Sequence, residues 1–132
     1  MYSGGQGIPQ DYKQAIKWYT LAAIQGSRTA RGILGFMYSN GQGVIQDYKQ
    51  SFKWYTLAAE QVNNSAQFSL GGVYALGKGV PQNYVMAHMW SNIAAFNGES
   101  TELRDYLTEI MTPPQIDQAQ QKAREWLKKH GK

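Results

Sequence analysis

Few residues in this chain have the types and the spacing that catalysis or metal binding requires. His88 and His130 are the two histidines, the chain has no cysteine, and neither histidine stands at a metal-ligand spacing. The serines and acidic residues form no nucleophile elbow or triad signature. We therefore expect no catalytic residue, no metal and no cofactor, and we predict that His88 is a partly buried helix residue with one hydrogen bond.

Three Gly-x-Gly segments could be mistaken for phosphate-binding loops: Gly5-Gln6-Gly7, Gly41-Gln42-Gly43 and Gly77-Lys78-Gly79. A phosphate loop needs a preceding strand and a fuller glycine pattern, and neither is present. Glycine also supplies the left-handed backbone at the end of a helix. We interpret these segments as helix-to-helix turns.

Aromatic residues recur at a fixed period. Trp18, Trp54 and Trp90 stand 36 residues apart, within segments of closely similar sequence. A sugar-binding ladder is one interpretation, but helical spacing and regular recurrence favour an interlocking core. A period of this size indicates stacked supersecondary units, none of which buries its apolar face alone. It favours an extended binding surface over a catalytic pocket.

Each unit reads as two helices. In the copy from Ser27 to Gln61, helix A carries apolar residues at spacings of three and four and the recurring Gly35, for which we expect a close-packing role. Asp47 is the predicted N-cap of helix B, as Asp11 is in the first copy. Asn64 with Gln67 opens the next helix A, and Asn63 is expected to make the turn where Val62 replaces a glycine.

The pattern predicts an all-α fold, an α/α superhelix or solenoid of antiparallel helix pairs with a C-terminal capping helix pair. The predicted parts of this single domain are a partial repeat (1–26), two repeats (27–62 and 63–98) and the cap (99–132). The cap contains a helix over 101–111 and another that starts with Thr112 as N-cap and Gln115 as its capping partner. Val85, Met86 and Met89 replace polar residues of the earlier copies, so we expect the cap to cover them.

The N-terminal segment aligns with the middle of a unit, because Met1-Tyr2-Ser3 matches Met37-Tyr38-Ser39. Helix B of the first unit, predicted over 11–25, would then lack its covering helix A, since residues 1–10 are rich in turn formers. We expect either a missing upstream repeat or self-association, as a homodimer, through an edge formed by Tyr12, Ile16 and Tyr19.

Charge and hydropathy limit the partners. The net charge is +4, but lysines such as Lys13, Lys17, Lys49 and Lys53 are dispersed over solvated helix faces, so we expect no nucleic-acid binding. No apolar run is long enough to cross a bilayer, and the first residues lack the features of a signal peptide. Whether the compartment is the cytoplasm or the periplasm stays open.

Three segments carry a family resemblance: Leu34-Gly35-Phe36-Met37-Tyr38, residues 41–48 from Gly41 to Tyr48, and residues 54–61 from Trp54 to Gln61. They resemble the Sel-one-like repeat (SLR) family, relatives of tetratricopeptide repeats. The resemblance implies a curved solenoid that binds proteins, as an adaptor in signalling, secretion and bacterial–host contexts.

The expected function is a non-enzymatic scaffold that binds a peptide or protein on its concave face. The alternative is a small hydrolase-like enzyme or ligand-binding protein with a groove near the C-terminal cap. The predicted partner contacts are polar positions of helix A at which the copies carry different residues. Positions that stack against the next unit must repeat, whereas positions that recognise a partner need not. These residues are Arg28, Arg31, Asn64 and Gln67.

Overall fold

The computed structural model describes residues 8–130, and side-chain surroundings from residue 11 onward; the predicted alignment of residues 1–3 and the first Gly-x-Gly segment lie outside this range. Its regular elements are seven helices, and the predicted all-α class is confirmed. They are α1 (Ile8–Ile24), α2 (Arg28–Asn40), α3 (Tyr48–Glu60), α4 (Asn64–Leu76), α5 (Tyr84–Phe96), α6 (Glu102–Ile110) and α7 (Pro113–His130). Helices α2 and α3 pack as one A–B pair and α4 and α5 as the next.

Several helices begin at the N-cap residues that the sequence predicts. Ser27 accepts a hydrogen bond from the backbone N–H of Ala30 at 3.1 Å. Asp47 accepts two from the first turn of α3, both at 3.1 Å. At α7, Gln115 Oε1 accepts from the backbone N–H of Thr112 at 2.9 Å, and Thr112 Oγ1 accepts from that of Gln115 at 3.3 Å. These bonds satisfy N–H groups that have no partner within the helix.

Two predicted helix starts are wrong. Helix α1 begins at Ile8, ahead of the expected N-cap Asp11; a proline at position 9 is compatible with this start, because the first turn needs no N–H donor there. The N-cap of α4 is Asn63, whose side chain accepts from Ala66 N at 3.0 Å. Asn64 is therefore the first residue of the helix, and its predicted capping partnership with Gln67 does not form.

The turn between α3 and α4 also differs from expectation. Val62, not Asn63, has the left-handed backbone, with φ 63°, where the other copies have Gly26 and Gly98 with φ 101°. A β-branched residue in this region is strained by roughly 1–3 kcal/mol. Val62 packs against the core cluster that contains Tyr55, and this packing offsets part of the strain.

The two glycines of each Gly-x-Gly turn have different roles. Gly77 ends α4 as a left-handed C-cap with φ 70°. Gly79 has φ 87° and lies so close to α3 that an added Cβ would stand 2.3 Å from the carbonyl oxygen of Tyr48. Gly43 lies in the same way against Tyr12, at 2.6 Å from its carbonyl oxygen. The second glycine therefore lets each unit touch the B helix of the unit before it.

Two of the three repeated tryptophans, Trp54 and Trp90, are buried in the core as expected, whereas Trp18 is 68% exposed and is not a core residue. Trp54 is buried with Ala23, Ala30 and Leu34 of the two preceding helices. A Cβ on Gly35 would lie 2.6 Å from the Tyr55 ring, so only glycine lets α2 and α3 approach this closely. The predicted close-packing role of Gly35 is confirmed.

The last two helices pack mainly on α5 and have few contacts with each other. Met89 is buried, and Val85 packs against the cluster that contains Leu107. Trp126 of α7 meets Trp90 edge-on, with ring centroids 5.4 Å apart and an interplanar angle of 68°. The cap therefore covers the face of α5 on which apolar residues stand at positions that are polar in the earlier copies.

Candidate functional site

Gln67, predicted to contact a partner, is fully buried. Its Nε2 donates to the carbonyl of Ala59 at 3.1 Å, and its Oε1 accepts from Asn97 Nδ2 at 3.1 Å. These bonds connect α4 with the ends of both neighbouring B helices. The structure corrects this part of the prediction, because a side chain with no accessible surface cannot touch a partner.

Arg31 stands at the equivalent position of the preceding unit and also connects neighbouring helices. Its Nε donates to the carbonyl of Ala23 and one Nη1 hydrogen to Gln61 Oε1, both at 3.0 Å. Gln61 in turn donates to the carbonyl of Gly26 at 2.9 Å. The half-buried guanidinium therefore ties the first turn of α2 to the ends of α1 and α3.

Arg28 and Asn64 begin α2 and α4 and are more accessible. Arg28 is exposed, and its Nη1 donates to the carbonyls of Gln61 at 3.1 Å and Val62 at 3.4 Å. Asn64 is half-buried and donates to the carbonyl of Asn97 at 3.2 Å. Partner binding by these two residues stays a prediction.

A groove runs between the two neighbouring A helices, α2 and α4, and we call it the A-helix groove. Its volume is about 440 Å³, at the lower end of the range for ligand sites. Phe36 is 52% exposed beside it although it is a large apolar residue. The residues that line the groove are Thr29, Gly32, Ile33, Phe36, Tyr55, Asn63, Ser65, Ala66 and Ser69.

Tyr55 belongs both to the groove and to the core beneath it. Burial raises the pKa of the Tyr55 phenol, and a hydrogen bond with Ser69 opposes the rise. The phenol is therefore neutral at physiological pH. With hydroxyl groups from serine and threonine along its edges, the groove offers hydrogen bonds and apolar contact but no charge.

The sequence contained a signal for this groove that the reasoning missed. The slots that differ between copies include Gly32 with Phe68, Ile33 with Ser69, and Phe36 with Gly72. The prediction uses only polar positions as recognition positions. Apolar slots that change size between copies, on the exposed side of helix A, satisfy the same criterion.

A second cavity lies near the C-terminal cap, where the alternative function would place a site. It has a volume of about 770 Å³ and lies between α3, α5 and α7. Among the described residues that line it there is no serine, threonine or cysteine. Its residues are Glu60, Met86, Met89, Lys122, Glu125, Trp126, Lys128, Lys129 and His130.

His130 is the titratable group of this cavity best suited to acid–base chemistry. Its ring stacks on Trp126 with centroids 4.3 Å apart, and its Nδ1 lies 3.1 Å from the Trp126 carbonyl oxygen. Among the described residues that line the cavity there is no hydroxyl or thiol for this histidine to activate as a base.

His88 is a structural residue at the joint of α5 and α6. It is buried, and its Nε2 lies 2.9 Å from Thr108 Oγ1, while Nδ1 has no partner among the described residues. Burial lowers the pKa of His88, as does the Arg104 charge, while Asp105 raises it. The single hydrogen bond agrees with the prediction, with complete rather than partial burial. The described residues contain no group of three or more potential ligands placed to hold a metal.

The N-terminal edge differs from the prediction at two of its three residues, while Tyr12 is exposed as expected. Ile16 and Tyr19 are half-buried, because they pack on the cluster formed with α2 and α3. The open face of α1 instead carries Trp18, which is 68% exposed, while its equivalent Trp54 is 9% exposed. The other large apolar residues exposed on α1 are Tyr12, Leu21 and Ile24.

Comparison with known proteins follows the repeat pattern. A family model, the Sel1 repeat, matches residues 1–27, 33–63, 64–98 and 111–129. The chain belongs to the Sel1 repeat family. The last match lies within the predicted cap, where Trp126 stands 36 residues after Trp90. A comparison with curated proteins finds no significant match.

Two solved structures support the fold of this Sel1 repeat chain. One is a protective antigen present in uropathogenic Escherichia coli strains and displaying an SLR fold, with a TM-score of 0.87 and 34% identity over 89% of this chain. This chain spans 26% of the antigen's length. The other is a Sel1 repeat protein from Oxalobacter formigenes, with a TM-score of 0.65 and 37% identity over 71% of this chain and 70% of that one. None of the described helices is long and apolar enough to cross a membrane.

Proposed function

We propose that this chain is a non-enzymatic protein-interaction scaffold that binds a peptide segment of its partner in the A-helix groove. Sel1 repeats typically mediate protein interactions. The observation that carries the site is the exposed Phe36 beside a groove whose lining residues carry no charge. Exposed apolar side chains along a concave surface are typical of recognition sites.

The pattern of conserved and changed slots within the chain supports this site. Ala30 and Leu34 on the buried side of α2 recur as Ala66 and Leu70, and all four are buried. The groove side of the same helix changes from Phe36 to glycine in the next copy. Core packing explains why the buried positions are the same in both copies. The stacking of the units does not require a large aromatic residue at the exposed position of Phe36.

Phe36→Ser tests the proposal. Peptides are first selected on the wild-type chain from a phage-displayed library of random dodecapeptides, and their binding is then measured by fluorescence polarisation. Because the aromatic ring would lose its contact with the peptide, we expect Phe36→Ser to weaken binding about tenfold, or about 1.4 kcal/mol.

Phe96→Ser is the matched control, since Phe96 is an equally bulky exposed residue at the end of α5, away from the groove. It should leave binding unchanged. Equal binding by wild type and Phe36→Ser would refute the proposed site. Far-UV circular dichroism of both variants checks that the helices are intact.

We also propose self-association as a two-fold dimer through the open face of α1, with Trp18 and Leu21 as central contacts. Both are exposed although their equivalents in α3 are covered by α2. Isologous pairing is the commonest way for one patch to bury itself. Sedimentation velocity at micromolar concentration should show a dimer that Trp18→Lys converts to monomer; a wild-type monomer would contradict the proposal.

A further inference from the structure

The geometry points to a defined class of peptide for the A-helix groove: one with a bulky uncharged side chain that enters the groove and a neighbouring carboxylate that binds Arg28. This inference rests on the proposed function and names the chemistry of the partner. It combines two observations, a groove lined without charge and a guanidinium with free donors at its end.

The lining of the groove selects the inserted side chain. All nine lining residues are uncharged at neutral pH, and Phe36, Ile33 and the Tyr55 ring provide the apolar surface. Placing a charged group in such a site without a partner of opposite sign carries a large desolvation cost. An aliphatic or aromatic side chain instead gains by leaving water, at about 25 cal/mol per Å² of apolar surface buried.

Arg28 stands at one end of this groove. Its backbone carbonyl accepts a hydrogen bond from Nδ2 of Asn63, a lining residue, at 3.2 Å. Its guanidinium reaches Gln61 and Val62, the two residues that precede Asn63. The charge and the groove are therefore contiguous parts of one surface.

The hydrogen bonds of Arg28 use only part of its guanidinium group. Only Nη1 is engaged, by two backbone carbonyls, while Nε and Nη2 have no partner among the described residues. Within the described range the one salt bridge joins Arg104 to Asp105, so Arg28 has no acidic partner there. Nε and Nη2 together present two parallel N–H donors, the arrangement that binds a carboxylate in a bidentate manner.

Neighbouring positions do not offer the same chemistry. Arg31 is half-buried and its Nε and Nη1 are occupied by Ala23 and Gln61. Asn64, which is equivalent to Arg28 in the next unit, carries no charge. Of these three positions, Arg28 alone has both a charge and free donors, so we expect the acid of the peptide to bind at that end of the groove.

The experiment selects peptides from the phage-displayed dodecapeptide library on the wild-type chain and sequences them. We expect a bulky apolar residue with Asp or Glu at a fixed separation from it. A synthetic peptide of this type should bind Arg28→Gln about tenfold more weakly than wild type, because a charge-assisted bidentate contact is lost. The same peptide with Asn or Gln replacing its acid should bind both proteins equally.

Two further variants make the result specific. Arg124→Gln removes the same charge from an exposed position on α7 and should leave binding unchanged. Arg28→Lys keeps the charge without the fork and should restore only part of the affinity. Thermal unfolding of each variant identifies any loss that comes from weakening the joint at Gln61.

The outcomes separate this inference from the proposed function. Peptides that depend on Phe36 but lack an acid, or that bind Arg28→Gln as tightly as wild type, would overturn the inference and leave the groove as the site. Selected peptides that ignore both Phe36 and Arg28 would overturn both. If Arg28→Gln and Arg124→Gln weakened peptide binding equally, net charge and not a specific contact would account for the loss of affinity. That result would overturn the inference.

Discussion

Replacing Gly79 by alanine is expected to weaken the joint between the second and third units. Gly79 has φ 87°, and a Cβ there would stand 2.3 Å from the Tyr48 carbonyl oxygen and 3.0 Å from the Lys49 nitrogen. Both atoms belong to backbone in the first turn of α3. They cannot rotate away as a side chain would, so the loop and the helix must separate.

The expected magnitude comes from three effects. A left-handed backbone costs a non-glycine residue roughly 1–2 kcal/mol. Forcing an extra carbon into a packed region costs about 1–3 kcal/mol. The alanine gains back about 0.4–1 kcal/mol by restricting the unfolded chain. We therefore expect Gly79→Ala to lower the free energy of unfolding by about 1–4.5 kcal/mol.

Two other glycines of the same unit separate these effects. Gly77→Ala introduces the left-handed strain, at φ 70°, but its Cβ would meet only ordinary or slightly tight contacts at 3.2–3.5 Å. Gly72 lies within α4 with nothing within 4 Å of an added Cβ. Gly77→Ala should therefore cost about 1 kcal/mol, and Gly72→Ala should stabilise the protein by up to about 1 kcal/mol.

Urea unfolding followed by circular dichroism and tryptophan fluorescence measures all three variants. The expected order of stability is Gly72→Ala, wild type, Gly77→Ala and Gly79→Ala. If Gly79→Ala costs no more than Gly77→Ala, close approach to the preceding B helix is not what requires the second glycine. A loss of stability in Gly72→Ala would show that helix propensity does not govern that site.

Three further predictions concern buried groups. Because burial lowers the pKa of His88, the unfolded chain takes up the proton first; this residue's contribution to stability is complete above about pH 6.5 and declines below it. Urea midpoints should fall less in His88→Gln than in wild type between about pH 7 and about pH 5.5, and equal falls would contradict this. A chain ending at Gly98 would uncover Met89 and Trp90 and should aggregate or unfold, whereas a cooperative melt of soluble protein would refute the cap. Gln67→Ala should cost about 1–3 kcal/mol in urea unfolding, because it removes two hydrogen bonds of a buried side chain and leaves the Asn97 amide without its acceptor; a loss below that range would argue against a role of Gln67 in connecting the helices.

The repeating parts of the fold were predictable because they are governed by packing that is the same in every unit. Leu34 and Leu70 stand at equivalent positions and are both fully buried. Gly35 recurs as Gly71, and an added Cβ would stand 2.6 Å from the Tyr55 ring in the first copy and 3.2 Å from the Ala87 carbonyl oxygen in the second. Helical spacing and internal recurrence together identify such positions without any knowledge of their neighbours.

The candidate site was only partly predictable, because slots vary between copies for two physical reasons. Some are exposed to a partner, and others bond to loops that themselves differ. Arg31 reaches Gln61, whereas its counterpart Gln67 reaches Asn97. A comparison at fixed period shows that both positions vary but not where their side chains point. Apolar slots such as Phe36 separate the two cases better, since no joint requires them.

The C-terminal helix shows a second limit of the sequence reasoning. Trp126 continues the tryptophan series, and the family match includes residues 111–129. Yet α7 packs mainly on α5 and has few contacts with α6, so it does not complete an A–B pair of the usual kind. The apolar changes at Val85 and Met89 predict this contact, but they do not reveal that the covering helix is itself related to the repeat.

The packing of the last two helices on α5 limits the size of the binding surface. Within the described residues, α2 and α4 are the pair of A helices that contact each other, whereas α4 and α6 share few contacts. A stable protein–protein interface involves roughly 20–30 residues on each partner, whereas nine residues line this groove. We therefore expect peptides bound in this groove to have micromolar or weaker affinity, of the order of 1–100 µM. Stronger binding would require contacts beyond the groove or several grooves acting together, as multivalent binding allows.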